Sequence, residues 1–281
     1  MWNMEEGKVH LLIDTCVLPR CKLEEAQIYR NIFGDKIGFE LLPMWDLSDF
    51  EGNLQKNLPF LMDGDLMFHE PVWGVEHTAP KGTPAYEKSM QYLLLTKKYA
   101  EIMNPPMMVY HLNNRRIPPD DRDELLRTSL ENLEEERELF PNVTILVENT
   151  GTDSDGNKLL DQQEFTDLCR DKHFDVLIDV GHANANSWDV YRLISDLKDQ
   201  VRGFHLHNNA GRSDSHNRLT DGTLEMVRLV KFIRESVPDA FLVIEYTRPI
   251  YHGLPLLADM DFLMKLTGTD LRGSVEKHLI K

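Results

Sequence analysis

Eight short apolar runs, each followed by a polar turn and a longer helical or irregular stretch, set the terms on which this chain can fold. The runs fall at residues 9–14, 37–42, 66–69, 107–112, 143–148, 176–179, 201–207 and 241–245. Helical periodicity covers 23–33, 84–103, 122–140, 162–170, 188–197 and 224–236, and a helix over 254–266 closes the pattern; the stretch after the second run reads only as a short irregular or helical piece. Strands that alternate with helices form parallel βαβ units, and near-continuous apolar strands belong to a sheet covered on both faces. Eight such units fit a closed (β/α)₈ barrel, and no Gly-x-Gly-x-x-Gly follows the first strand, as a dinucleotide-binding open sheet would require. With 281 residues and no linker or low-complexity tract, the expectation is one α/β barrel domain spanning 1–281.

In such a barrel the chemistry gathers at the C-terminal ends of the strands. Read in order from the third strand to the eighth, those ends carry His69, His111, Glu148, Asp179 with His182, His205 and Glu245. His207 lies two residues beyond His205 and so on the same strand face, and Asp214 and His216 follow in the seventh loop. Ionisable groups converging on one mouth repel each other and resist desolvation, a difficulty that bound cations remove. Mixed imidazole and carboxylate donors accept Mn²⁺, Zn²⁺, Co²⁺ or Mg²⁺. His10, early in its strand, reads as structural, and His77, His173, His252 and His278 read as surface or loop residues. Trp45, after the second run, and Trp73, after the third, suit either stacking on a small ring or packing of the rim.

A net charge of −16 disfavours nonspecific attraction to nucleic acid or anionic membranes, although a local basic groove stays compatible with it. Part of the acidic excess lies at 131–138 and reads as a solvated helix face. Arg115 and Arg116 suit either a substrate phosphate or the surface. Cys16, Cys21 and Cys169 have no paired spacing, so neither a disulfide framework nor a zinc ribbon is indicated. No apolar run approaches the ~20 residues that span a bilayer, and the first residues lack the features of a secretory signal. The expected compartment is the cytoplasm, and a homo-oligomer is compatible with the sequence.

Four segments carry a family resemblance: Val147-Glu-Asn-Thr150, Ile178-Asp-Val-Gly-His182, Phe204-His-Leu206 and Asp214-Ser-His216. Together they resemble the xylose isomerase-like TIM-barrel superfamily, which holds sugar-phosphate isomerases and epimerases as well as endonuclease IV of AP endonuclease family 2. The resemblance spans essentially the whole chain. In the epimerase-like branch it implies one divalent metal on Glu148, Asp179, His205 and Glu245. In the endonuclease branch it implies three Zn²⁺ ions that also use His69, His111, His182, Asp214 and His216, and all nine residue types are present. Other segments depart from endonuclease IV. Its His-Pro-Gly reads His111-Leu-Asn-Asn114 here, its Asp-x-His-His reads Asp214-Ser-His-Asn217, its Leu-Gly-Glu-Gly reads Leu219-Thr-Asp-Gly222, and the first two loops hold no basic cluster.

The resemblance therefore implies, first, a metal-dependent isomerase or epimerase of carbohydrate metabolism, acting on a small sugar, sugar phosphate or polyol-derived keto compound. In that expectation Glu148 and Glu245 face each other across the substrate. One removes the proton next to the carbonyl, the metal stabilises the enediolate, and the other carboxylate returns the proton. His182 and His207 would orient hydroxyls, while Trp45 and Trp73 shape the pocket. The alternative is zinc-dependent phosphodiester hydrolysis at abasic sites in DNA. A third reading is a silent barrel that binds a sugar as a sensor, since fold alone does not guarantee chemistry.

Overall fold

The computed structural model describes residues 9–19, 22–118, 121–247 and 249–269. The N-terminal eight residues, Cys21 and His278 lie outside the described residues. Eight parallel strands close on themselves in sequence order: β1 (His10–Asp14), β2 (Gly38–Leu41), β3 (Leu66–Phe68), β4 (Met107–His111), β5 (Thr144–Glu148), β6 (Asp175–Asp179), β7 (Val201–Leu206) and β8 (Phe241–Ile244). β1 pairs with β8, so the sheet has no open edge. The helices between them are α1 (Ala26–Phe33), α2 (Phe50–Leu61), α3 (Pro84–Met103), α4 (Arg122–Leu139), α5 (Gln162–Lys172), α6 (Val180–Ala185), α7 (Val190–Leu197), α8 (Met226–Ser236) and α9 (Leu254–Thr267). The (β/α)₈ expectation is met. No helix among the described residues is long and apolar enough to cross a membrane.

Local chemistry accounts for the element ends. Thr83 caps α3, its Oγ1 accepting from Tyr86 N at 3.3 Å, with Pro84 at the first helical position. Asp161 and Glu164 form a reciprocal capping box on α5. α2 buries Phe50, Leu54 and Leu61 on one side, so the stretch after β2 takes the helical of its two expected forms. α6 is a short helix directly after β6, started by Asp179, whose Oδ1 accepts from His182 N at 2.6 Å.

Strand phase explains where the site sits. Leu12, Met67, Met107, Val109, Leu146, Leu177, Phe241 and Val243 form a buried cluster of their own inside the barrel, separate from the larger core between strands and helices. Side chains two apart share a face. The inward position two residues beyond Leu12, Met67, Val109, Leu146, Leu177 and Val243 is therefore Asp14, His69, His111, Glu148, Asp179 and Glu245 in turn. Gly38 and Gly203 precede Glu40 and His205 in the same way. Each strand thus contributes an acid or an imidazole to the layer above the apolar plug. At the opposite end, His10 Nδ1 meets Asp65 Oδ2 at 2.8 Å and its ring stacks on Phe241 at 4.4 Å, a structural role.

Candidate metal centre

The upper layer is a buried cup of donors. His205 Nδ1 lies 3.6 Å from Glu148 Oε2, 3.8 Å from Asp179 Oδ2 and 3.5 Å from Glu245 Oε2. A tetrahedral ion with bonds of about 2.0–2.2 Å needs ligand atoms separated by about 3.3–3.6 Å, so His205 Nδ1 stands near ligand spacing from each of three carboxylates, without the four side chains closing into one group. Two further groups adjoin it. His69, His111 and Glu148 gather on one side, and His182, His207, Asp214 and His216 on the other. Asp214 Oδ2 lies 3.2 Å from His182 Nε2 and 2.8 Å from His216 Nε2.

Four imidazoles have one ring nitrogen anchored outside the cup and the other turned into it. His69 Nδ1 donates to the Glu70 carbonyl at 2.9 Å, and His216 Nδ1 to the Glu245 carbonyl at 3.1 Å. His205 Nε2 meets Glu40 Oε1 at 2.9 Å, and His111 Nδ1 meets Asn114 Oδ1 at 2.8 Å. Metal-binding histidines are held in this way. Inside the cup, Glu148 Oε1, His205 Nδ1, Asp214 Oδ1 and Glu245 Oε2 are buried without a hydrogen-bond partner. Buried polar atoms are costly when left unsatisfied, and this donor set fits a divalent cation.

The electrostatics agree. Burial, then Asp179 and Glu148, hold the Glu245 carboxyl well above the usual range. Burial, aided by Glu40, pushes Asp14 up to about 7, and burial pushes Glu40 up to about 8. Against the effect of burial, His111 and His205 draw Glu148 well below its ordinary value. His182 and His207 do the same for Asp179. Burial opposes a charge on His111, yet Glu148 and Glu70 carry it up to about 9. Without added positive charge, the cup keeps protons that a cation displaces.

Above the cup lies a cavity of about 340 Å³, reached by His69, His111, His182, Asp214, His216 and Glu245. Its outer wall is mostly neutral and hydrogen-bonding, with Asn113, Asn114, Thr150, Thr152 and Thr247, and half-exposed Trp73 lies at its rim. Asp155 is the further acid of the lining, and no lysine or arginine is found among the described residues there.

The ten acids and imidazoles singled out from the sequence converge here. Glu148, Asp179, His205 and His207 form the buried floor, His207 Nε2 lying 2.9 Å from Asp179 Oδ2 and 3.9 Å from Glu245 Oε2. Trp45 is placed elsewhere, its Nε1 donating to Thr96 Oγ1 at 2.8 Å while its ring packs on Phe50 and Tyr99. His77 is no surface residue, because Glu70 pairs with its ring and Asn132 Nδ2 holds its carbonyl at 2.6 Å, drawing the loop inward. His252 is half-buried against the Tyr29 hydroxyl at 2.7 Å, and His173 is exposed as the left-handed cap of α5. The run at 131–138 is not wholly solvated, since Glu136 is buried beside His77. Arg115 and Arg116 are exposed, Arg116 Nε donating to the Asp155 carbonyl at 3.1 Å. Asp14, Glu40, Glu70 and Asn114 escaped the sequence reading. Period-two phase could have found the first two, but nothing local marks the others.

Residues 29–266 match the family model described as the xylose isomerase-like TIM barrel. No curated protein matches by sequence. Among solved structures, a D-tagatose 3-epimerase-like protein superposes with a TM-score of 0.72 at 16% identity, covering 91% of this chain and 96% of that one. The TTHB071 protein from Thermus thermophilus, soaked with zinc chloride, gives 0.69 at 19%, covering 94% and 99%. Endonuclease IV from the same organism gives 0.60 at 17%, covering 92% and 99%. At these identities the likeness is one of fold.

Proposed function

The chain belongs to the xylose isomerase-like TIM-barrel family, and on that premise we propose that it is a divalent-metal-dependent isomerase or epimerase of a small polyhydroxy carbonyl compound. The observation that carries this reading is the cavity: about 340 Å³, with a mostly neutral outer wall, without lysine or arginine among its described lining, and opening onto the donor cup. A pocket of that size suits a small molecule. A duplex backbone, by contrast, is gripped by Lys and Arg, and the net charge of −16 opposes its approach.

Glu148, Asp179, His205 and Glu245 would hold the principal cation. When bound, that cation supplies Lewis acidity toward a carbonyl oxygen. Glu245 reaches the cavity and takes or returns the proton on the carbon beside the carbonyl, and Glu148 serves the opposite face. His182, on the cavity wall, orients a hydroxyl, and Trp73 covers the apolar face of the substrate. His207, buried and outside the cavity lining, holds Asp179.

One observation favours the second reading. The group of His182, Asp214 and His216, with His69 and His111 opposite, gives the cup capacity for more than one ion, as phosphodiester hydrolysis at abasic sites would use. Two measurements separate the readings. Zinc or manganese bound per chain is counted, and the loaded protein is offered small ketoses in D₂O and an abasic duplex. Deuterium appearing beside the ketose carbonyl, and lost in Glu245→Gln, supports the isomerase. Duplex cleavage without exchange overturns it.

A further inference from the structure

From the β3 and β4 loops we infer that Glu70 sets which ring nitrogen His111 offers to the cup, acting through Asn114. Glu70 is fully buried and lines no part of the cavity, so it is a positioning residue. Its Oε2 pairs with His77 Nε2, and its Oε1 accepts from Asn114 Nδ2 at 2.7 Å. An ionised carboxylate only accepts, so Asn114 must turn its NH₂ toward Glu70 and its carbonyl away. The Val75 carbonyl, 3.3 Å from the same Nδ2, receives the second proton of that amide and enforces the same orientation. Asn114 Oδ1 then takes the Nδ1 proton of His111 at 2.8 Å. What remains is His111 Nε2, which lies 2.9 Å from Glu148 Oε2 and faces the cup.

Glu70 also serves the neighbouring ligand. Its backbone carbonyl accepts from His69 Nδ1 at 2.9 Å, leaving Nε2 toward Glu148 at 4.0 Å. One residue therefore orients both imidazoles of the His69–His111–Glu148 group, one through its backbone and the other through its side chain. His77 fixes Glu70 from the far side, with its own Nδ1 3.7 Å from Glu136 Oε2 on α4. The relay rests on the metal centre of the proposed function and holds for either of its two reactions.

The test uses the full-length protein loaded with zinc. In the unaltered chain, long-range ¹H–¹⁵N correlation should show a proton on His111 Nδ1 that exchanges slowly with solvent. In Glu70→Gln the amide can donate as well as accept, and in Asn114→Leu, at a half-buried loop position, the acceptor is gone. Both variants should lose the protected Nδ1 proton, and zinc affinity, measured by chelator competition, should fall about tenfold or more. A protected proton retained in both variants overturns the relay, even if affinity falls, because Glu70 would then be only a packing residue. If the unaltered chain takes up no zinc, the metal centre itself fails, and that result appears before any variant is made.

Discussion

His205 and Glu40, 165 residues apart in the chain, meet at 2.9 Å between Nε2 and Oε1 beneath the cup, both fully buried. The contact fixes the imidazole so that Nδ1 stands within 3.5–3.8 Å of three carboxylates. Replacing Glu40 with Ala frees the ring while leaving Glu148, Asp179, His205 and Glu245 unaltered. Zinc affinity is expected to fall about 10- to 100-fold, as read by competition with a chelator of known affinity. Unchanged affinity would remove Glu40 from the centre.

Glu148 is the acid common to two of the donor groups, within 4.0 Å of His69, His111, His182 and His205. Glu148→Gln should lower the metal bound per chain, measured by elemental analysis, and abolish turnover under either proposed reaction. Full metal content with full activity would show that the cup is not the site.

Binding to the folded cup alone stabilises the fold by mass action. Zinc at a hundredfold excess over its dissociation constant should add about 2.7 kcal/mol, a rise of several degrees in Tm for a chain of this size. A chelator should reverse it. A Tm indifferent to both zinc and manganese would contradict a native metal centre.

Gly181 lies against the His207 ring so closely that an added methyl group would overlap it. His207 cannot retreat without leaving Asp179. Gly181→Ala should cost about 1–3 kcal/mol by overpacking and weaken metal binding together with stability, both visible in melts with and without zinc. A neutral substitution would show that the floor is soft.

Burial, resisted by His77 and reinforced by Glu70, pushes the Glu136 carboxyl from 4.5 up to about 8. Between those values the folded protein keeps a proton that the unfolded chain has released. Stability from this group is thus present below about pH 4.5 and lost as pH rises toward 8. Glu136→Gln should flatten that decline and gain at least about 1 kcal/mol at pH 8.5 relative to pH 5. Parallel pH profiles of the two proteins, by denaturant unfolding, would refute it.

The barrel was legible because its signals are local. A strand declares itself by composition and period two, and six of its ends declare chemistry by closing apolar runs with His, Asp or Glu. Asp14 closes the first run in the same way, whereas Glu40 lies inside the second run and is marked only by its period-two phase from Gly38. α2 reads ambiguously because Gly52 and Pro59, both poor helix formers, lie inside it.

By itself the sequence pointed to the closed parallel barrel, through eight strand patterns alternating with helical ones, and to the acids and imidazoles that close those strands or follow them. Tertiary structure alone decided that Trp45 packs among helices, that His77 turns inward to Glu70, and that Glu40 holds His205. Those contacts join residues separated by 51, 7 and 165 positions. Each depends on where a loop or helix docks and on which buried polar groups must find a partner there, and no local periodicity encodes that requirement.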